Sequence, residues 1–149
     1  MRVLDSEGDA LHPPAEAALA ALDAFEWVGL TDLFDHSLCL LHYQANGTLP
    51  AACTCATGKL TLNLPRFNHG VVRRDPNALP ADLLAQLDAH TQTDALVFAK
   101  ALRLLLGRLR TVEERTGVSL LACIDWPKLH RATEHVSGLW AAPDELLPA

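Results

Sequence analysis

The chain has 149 residues, half of them hydrophobic, with 12 basic against 18 acidic residues and a formal net charge of −6. A chain of this length forms one domain at most, and its apolar share is enough to build a core. The acidic balance excludes a broad nucleic-acid interface, which needs clustered Lys and Arg side chains. The most apolar region, residues 95–109, is interrupted by charged side chains, so no segment is predicted to cross a membrane.

The first third of the chain predicts a strand–helix unit. Residues 1–12 are expected to be a flexible lead-in, and Pro13-Pro14 to start a helix that continues through the alanine-rich run AEAALAALDAF. Residues 25–30, FEWVGL, are typical of a short buried strand. A helix capped by Thr31 or Asp32 and ended by Asn46-Gly47 is then expected, with Phe34, Leu38 and Leu41 facing the core.

The remainder predicts a long loop, two helices and a second short strand. Residues 48–78 are rich in Pro, Gly, Thr and Asn, which favours a loop. A helix is expected from about Pro80, and Thr91-x-x-Asp94 resembles a capping box that would start a second helix running to Thr116-Gly117. Residues 118–124, VSLLACI, predict the second strand, and residues 125–149 a tail. The fold class expected is therefore an α/β fragment, mainly helical.

The four cysteines leave the redox compartment and their pairing open. Cys39, Cys53, Cys55 and Cys123 are too few for a disulfide scaffold, and both a long-range bridge and four reduced thiols fit the count. A zinc site with His69 is disfavoured, because Cys-x-Cys is a poor chelating pair and no second pair is present. No metal is expected.

Two groups of side chains are candidates for chemistry. Asp32 and Asp35 with His36 could act as acid and base, but carboxylates in a first helical turn are better explained by the helix dipole, with the histidine on the helix surface. The loop RFNHGVVRRD suits phosphate or sulfate recognition, although an ordinary solvated loop explains its charges equally well. Its candidate ligand-binding residues are Arg66, His69, Gly70, Arg73 and Arg74.

The order of several motifs resembles the C-terminal part of the Golgi-type carbohydrate sulfotransferases. The motifs are F-x-W-V-G-L-T-D-x-F-D-x-S-L-C-L-L, a C-x-C loop, H-G-V with basic residues, T-x-x-D-x-L-V-F-A-x-A and V-E-x-x-T-G, within residues 25–123. The chain departs from the family pattern at Asp32, where glutamate is usual, and at Val97-Phe98, where Leu-Tyr is common.

The resemblance implies a P-loop-kinase-like fold, here partial over residues 13–124, and transfer of a sulfuryl group from 3′-phosphoadenosine 5′-phosphosulfate (PAPS) to a carbohydrate hydroxyl. It also implies that a full-length relative faces the Golgi lumen on a membrane anchor, and that the five loop residues from Arg66 to Arg74 are cofactor contacts. Catalytic residues are not carried over, because the family's phosphosulfate loop is absent from this sequence. The chain alone is therefore expected to be inactive. The alternative is a small helical binding or scaffold protein. A partner is expected at an exposed sheet edge or on leucine-rich helices.

Overall fold

The structure, a computed structural model, describes residues 15–55, 58–60, 62 and 79–133, with side chains as far as His130. These residues form helices and two 3-10 turns, and none of them forms a strand. The predicted α/β class, with its strand–helix unit and second strand, is therefore wrong for the described part of the chain. The elements are α1 Ala15–Ala24, a turn Thr31–Leu33, α2 Phe34–Asn46, α3 Ala81–Thr116, a turn Leu121–Cys123 and α4 Trp126–Thr133.

The helix α3 is the centre of the fold. Both α1 and α2 pack against it, as does the turn Leu121–Cys123. Apolar residues recur in its second half at three- and four-residue steps, and Leu102, Leu105 and Leu109 are fully buried there. The core also takes in Leu40, Cys39, Cys53, Leu120, Ile124 and Leu129. The helix α4 lies in the range assigned to a tail.

A single helix replaces the two that were predicted between residues 80 and 116. The Thr91 hydroxyl donates to the carbonyl of Leu87 at 2.9 Å, one turn earlier, instead of capping a new helix. No proline or glycine interrupts residues 81–106, so the backbone has no reason to break. The predicted end of the helix is confirmed, because Gly117 has the left-handed φ of 68° and its N–H donates to the backbone carbonyl of Glu113 at 2.8 Å.

The first predicted strand, Phe25–Leu30, is bound by side chains instead of by a neighbouring strand. The Arg108 guanidinium of α3 donates to the carbonyls of Phe25 at 2.7 Å and Glu26 at 3.0 Å. The Gln44 amide of α2 donates to the same Glu26 carbonyl at 2.8 Å. Leu30 does have extended dihedral angles, with φ −125° and ψ 139°. The hydrogen-bonding partners of this segment are thus on helices.

The second predicted strand, Val118–Ile124, is not formed, because one carboxylate binds its backbone and stabilises a bend. Oε1 of Glu113 accepts hydrogen bonds from two successive backbone N–H groups, Leu120 at 2.5 Å and Leu121 at 2.8 Å. Successive N–H groups of a strand point to opposite sides, so one oxygen cannot bind both while the backbone stays extended. The chain bends at Leu120 and enters the 3-10 turn Leu121–Cys123.

Two disulfides join these elements and decide the pairing that the sequence left open. Cys39 of α2 is bonded to Cys53, and Cys55 is bonded to Cys123 in the last 3-10 turn. The two sulfurs of the Cys-x-Cys motif thus belong to different bridges, and no cysteine of the chain is free. The segment after α2 is attached by one bridge to α2 and by the other to the turn after α3.

Candidate functional site

The five predicted cofactor contacts, Arg66, His69, Gly70, Arg73 and Arg74, lie outside the described residues. Their role toward a phosphate or sulfate group stays a prediction from the sequence. The described residues do include the stretch with the longest run of family-like residues, Phe25–Leu41, and the structure gives several of these residues a definite position.

The entry to α2, residues 27–37, is organised around the Ser37 hydroxyl. Its Oγ accepts the Leu30 N–H at 2.9 Å and donates to the Leu33 carbonyl at 2.9 Å, with the Leu30 carbonyl at 3.2 Å. The Trp27 indole N–H donates to the backbone carbonyl of Ser37 at 3.0 Å. One buried serine therefore fixes the angle between the extended segment and the helix.

Gly29 is required by the same packing. A Cβ atom added at Gly29 would overlap the Trp27 ring and would lie 2.9 Å from Cβ of Ser37, closer than ordinary carbon contacts allow. The glycine in V-G-L and the serine in D-x-S-L therefore lie close together, and the Trp27 side chain contacts both. This explains physically why these residue types occur at this spacing.

The N-terminal cap predicted for α2 is not formed. Leu33 occupies the N-cap position, and neither it nor Leu30, which precedes the 3-10 turn, makes a side-chain cap bond. Asp35 does lie in the first turn of α2, and Asp32 in the first turn of the 3-10 helix. The Ser37 hydroxyl bonds instead to the backbone of Leu30, the residue before the 3-10 turn.

His36 is buried, so its predicted position on the helix surface is wrong. Its Nε2 lies 3.2 Å from the Leu120 carbonyl, 84 residues further along the chain, and the ring joins α2 to the turn after α3. A carbonyl only accepts, so this bond requires the proton on Nε2. Burial lowers the pKa of His36 from its ordinary 6.5, against the smaller opposing effects of the Leu120 bond and Asp35.

The lowered pKa of His36 predicts acid sensitivity. The unfolded chain binds a proton at His36 more readily than the folded chain, so the free energy of unfolding should be highest above pH 6.5 and fall as the pH decreases through that value. Urea unfolding between pH 7.5 and 5 measures this slope, and His36→Gln, whose amide can still donate to Leu120, should have a smaller one. Equal slopes in both proteins would contradict the prediction.

The outward side of α2 is apolar. Phe34 and Leu41 were predicted to face the core, but they are 48% and 40% exposed. The error arises because α2 has apolar residues on two sides, and the core takes the side with Cys39 and Leu40, which the Cys39–Cys53 disulfide holds inward.

A shallow depression of about 390 Å³ lies between α1 and α3. Leucine and alanine side chains line it together with two cations, of which Lys100 is bound to Asp23 at 2.6 Å. The lining holds no histidine, carboxylate or hydroxyl group, and Asp23 balances the charge of Lys100. The lining residues are Leu19, Leu96, Ala99, Lys100, Arg103 and Leu104.

The first part of α3 carries an apolar surface that nothing in the described structure covers. We call the exposed side formed by Leu83, Leu84 and Leu87 the leading face. Leu83 is 40% and Leu87 43% exposed. Leu84 is half-buried, and every other residue from Ala81 to Asp94 is exposed. The spacing of these leucines defines an apolar side of the helix, but a helical stripe does not reveal whether a second element covers it.

The described residues thus define a small helical, disulfide-bonded protein. No helix among them is long and apolar enough to cross a bilayer. They contain no cluster of three His, Cys, Asp or Glu side chains suited to a metal ion. Comparisons of the chain with protein-family models, curated proteins and solved structures found no match in any of the three.

Proposed function

We propose that this chain is the C-terminal, helical portion of a sulfotransferase that transfers a sulfuryl group from PAPS to a carbohydrate hydroxyl. The observation that carries the proposal is the entry to α2. Gly29 and Ser37 belong to the ordered motifs of the resemblance, and in the structure they pack on each other beneath Trp27. The proposal rests on this local arrangement and on the motif order.

The two disulfides support the lumenal setting that this function requires. Disulfides form and persist in oxidising compartments such as the secretory pathway, and they are rare in the cytosol. All four cysteines of the chain are bridged, one pair of them inside the core. A carbohydrate sulfotransferase of the Golgi lumen would mature in such an environment.

The chain by itself is proposed to lack transfer activity. Sulfuryl transfer needs cationic groups around the charge that develops in the transition state. Gly58-Lys59 is not a phosphate-binding Walker loop, because no glycine lies five residues before Gly58 and leucine follows Lys59. The chain is therefore proposed to contribute to a cofactor site only through the loop from Arg66 to Arg74.

Adenosine 3′,5′-bisphosphate, the desulfated form of the donor, tests the proposed cofactor loop. Millimolar nucleotide should raise the melting temperature, because a ligand that binds only the folded state stabilises it. Arg73→Ala/Arg74→Ala should abolish the increase, whereas Arg115→Ala, an exposed arginine at the end of α3, should keep it. An unchanged melting temperature with saturating nucleotide would remove the cofactor role of this loop.

The family proposal has its own test, which does not depend on nucleotide binding. The transcript upstream of this reading frame should encode a phosphate-binding loop and an Arg/Ser pair for the 3′-phosphate. Upstream sequence that is read through without either motif would contradict the sulfotransferase proposal.

A second candidate function is a helical binding protein without catalysis. The leading face favours it, because large apolar side chains on a projecting helix are typical of surfaces that bind another protein. The two candidates differ in the result of the nucleotide experiment, since a binding protein of this kind would show no increase in melting temperature.

A further inference from the structure

The leading face continues the buried side of α3 beyond the body of the fold. Leu83 lies one turn before Leu87, and Leu105 lies 18 residues after Leu87, which is five full turns. These leucines therefore point in nearly the same direction. The other elements cover this side from Ala99 onward. From Ala81 to Asp94, about 21 Å of helix at the standard rise, no other described residue buries it.

The uncovered part of α3 lacks the packing that stabilises the rest of the helix. Helices in proteins are stabilised mainly by packing of an apolar face. The continuation of the core stripe outward therefore indicates a surface that another helix completes. Amphipathic helices bind such surfaces with apolar residues at positions i, i+3, i+4 and i+7.

The charges around the leading face select the type of helix that binds there. Asp82, Asp88 and Asp94 are exposed, and the segment from Leu79 to Ala99 contains no Lys or Arg. Asp88 lies one turn after Leu84, and Asp94 lies two turns after Leu87 on nearly the same side. A second copy of the chain would bring together two faces that both carry carboxylates and no Lys or Arg, which is repulsive.

We propose that the leading face binds an amphipathic helix of a partner protein, with leucine-like anchors at helical spacing and Lys or Arg placed to meet Asp88 beside the leucines and Asp94 at the end of their stripe. Leu83 and Leu87 supply the apolar contact, and Asp88 and Asp94 the charge selection. The proposal uses only α3, so it holds whether the chain is part of an enzyme or a binding protein.

The test uses two synthetic peptides of about 18 residues with the same leucine pattern, one with lysines and one with glutamates at every flanking position. Binding of each labelled peptide to the full chain is measured by fluorescence anisotropy at two salt concentrations. The lysine peptide should bind, more weakly at high salt, and the glutamate peptide should not. Equal binding of both would overturn the charge selection.

Matched variants locate the site. Leu83→Ser/Leu87→Ser should lower the affinity for the lysine peptide by about tenfold or more, as expected where apolar anchors are removed from an interface. Leu96→Ser is the control, because Leu96 is also 43% exposed but lies about 180° around the helix from Leu87. Asp88→Lys/Asp94→Lys should reverse the preference to the glutamate peptide, whereas Glu16→Lys/Glu114→Lys, with the same change in net charge, should not.

Other occupants give different results, and each would overturn the proposal. A concentration-dependent dimer that Leu83→Ser/Leu87→Ser disperses would assign the face to a second copy. Lysine-peptide binding that appears only after Arg73→Ala/Arg74→Ala would assign it to the chain's own basic segment. If Glu16→Lys/Glu114→Lys lost as much binding of the lysine peptide as Asp88→Lys/Asp94→Lys, the peptide would be attracted by the net charge of the chain alone.

Discussion

Removing the Cys55–Cys123 disulfide is expected to lower the free energy of unfolding by about 4 kcal/mol. The two cysteines are 68 residues apart in the sequence, and a cross-link that closes so long a loop strongly restricts the unfolded chain. This bridge also attaches the segment after α2 to the turn after α3. Urea unfolding of Cys55→Ala/Cys123→Ala, compared with the oxidised wild type at pH 7.5, measures the loss.

The other disulfide provides the comparison. Cys39 and Cys53 are only 14 residues apart, so their loop accounts for about 3 kcal/mol, to which lost packing of two almost fully buried sulfurs adds. Peptide mapping without reductant should find both bridges and no free thiol. A loss below about 1 kcal/mol in Cys55→Ala/Cys123→Ala would show that this bridge does not restrict the unfolded state as argued.

Features of the fold that depend on nearby residues could be predicted from the sequence. Both long helices end where glycine can take the left-handed conformation, at Gly47 with φ 70° and at Gly117 with φ 68°. The alanine-rich run forms α1, and the leucine spacing in the second half of α3 marks the core. These outcomes follow from backbone freedom, helix propensity and periodicity within a few residues.

Features that depend on distant partners could not be predicted. The segment Phe25–Leu30 has a strand-like composition, but its carbonyl partners come from Arg108, more than 80 residues later. Residues 118–124 also have the composition of a strand, but the Glu113 carboxylate binds two of their N–H groups and the segment bends. Four cysteines allow three complete pairings, and spacing alone does not choose among them.

The candidate site shows the same limit. The burial of His36 depends on the Leu120 carbonyl, and the contact between Gly29 and Ser37 depends on how Trp27 folds over them. The order of the motifs in the sequence was enough to single out the stretch that contains these residues. It could not show that Phe34 and Leu41 turn outward, because apolar residues on both sides of α2 compete for one core.

Leu105→Ala is expected to lower the free energy of unfolding by about 2–5 kcal/mol, because its side chain is fully buried among the helices and its loss leaves a cavity. Leu87→Ala, on the same side of the same helix, should change it by no more than about 0.5 kcal/mol, because Leu87 is 43% exposed and alanine is a good helix former. Urea unfolding of the two variants under one set of conditions gives both values.

The contrast between these two leucines tests where the stability of α3 comes from. Leu87 gains little from folding in the isolated chain, so it is free to contribute to binding, whereas Leu105 is already used by the core. Adding the lysine peptide should therefore stabilise the wild type and Leu105→Ala by similar amounts, and Leu87→Ala by less. A large loss of stability in Leu87→Ala without peptide would show that the leading face is covered within the chain, which would contradict both this prediction and the proposed partner helix.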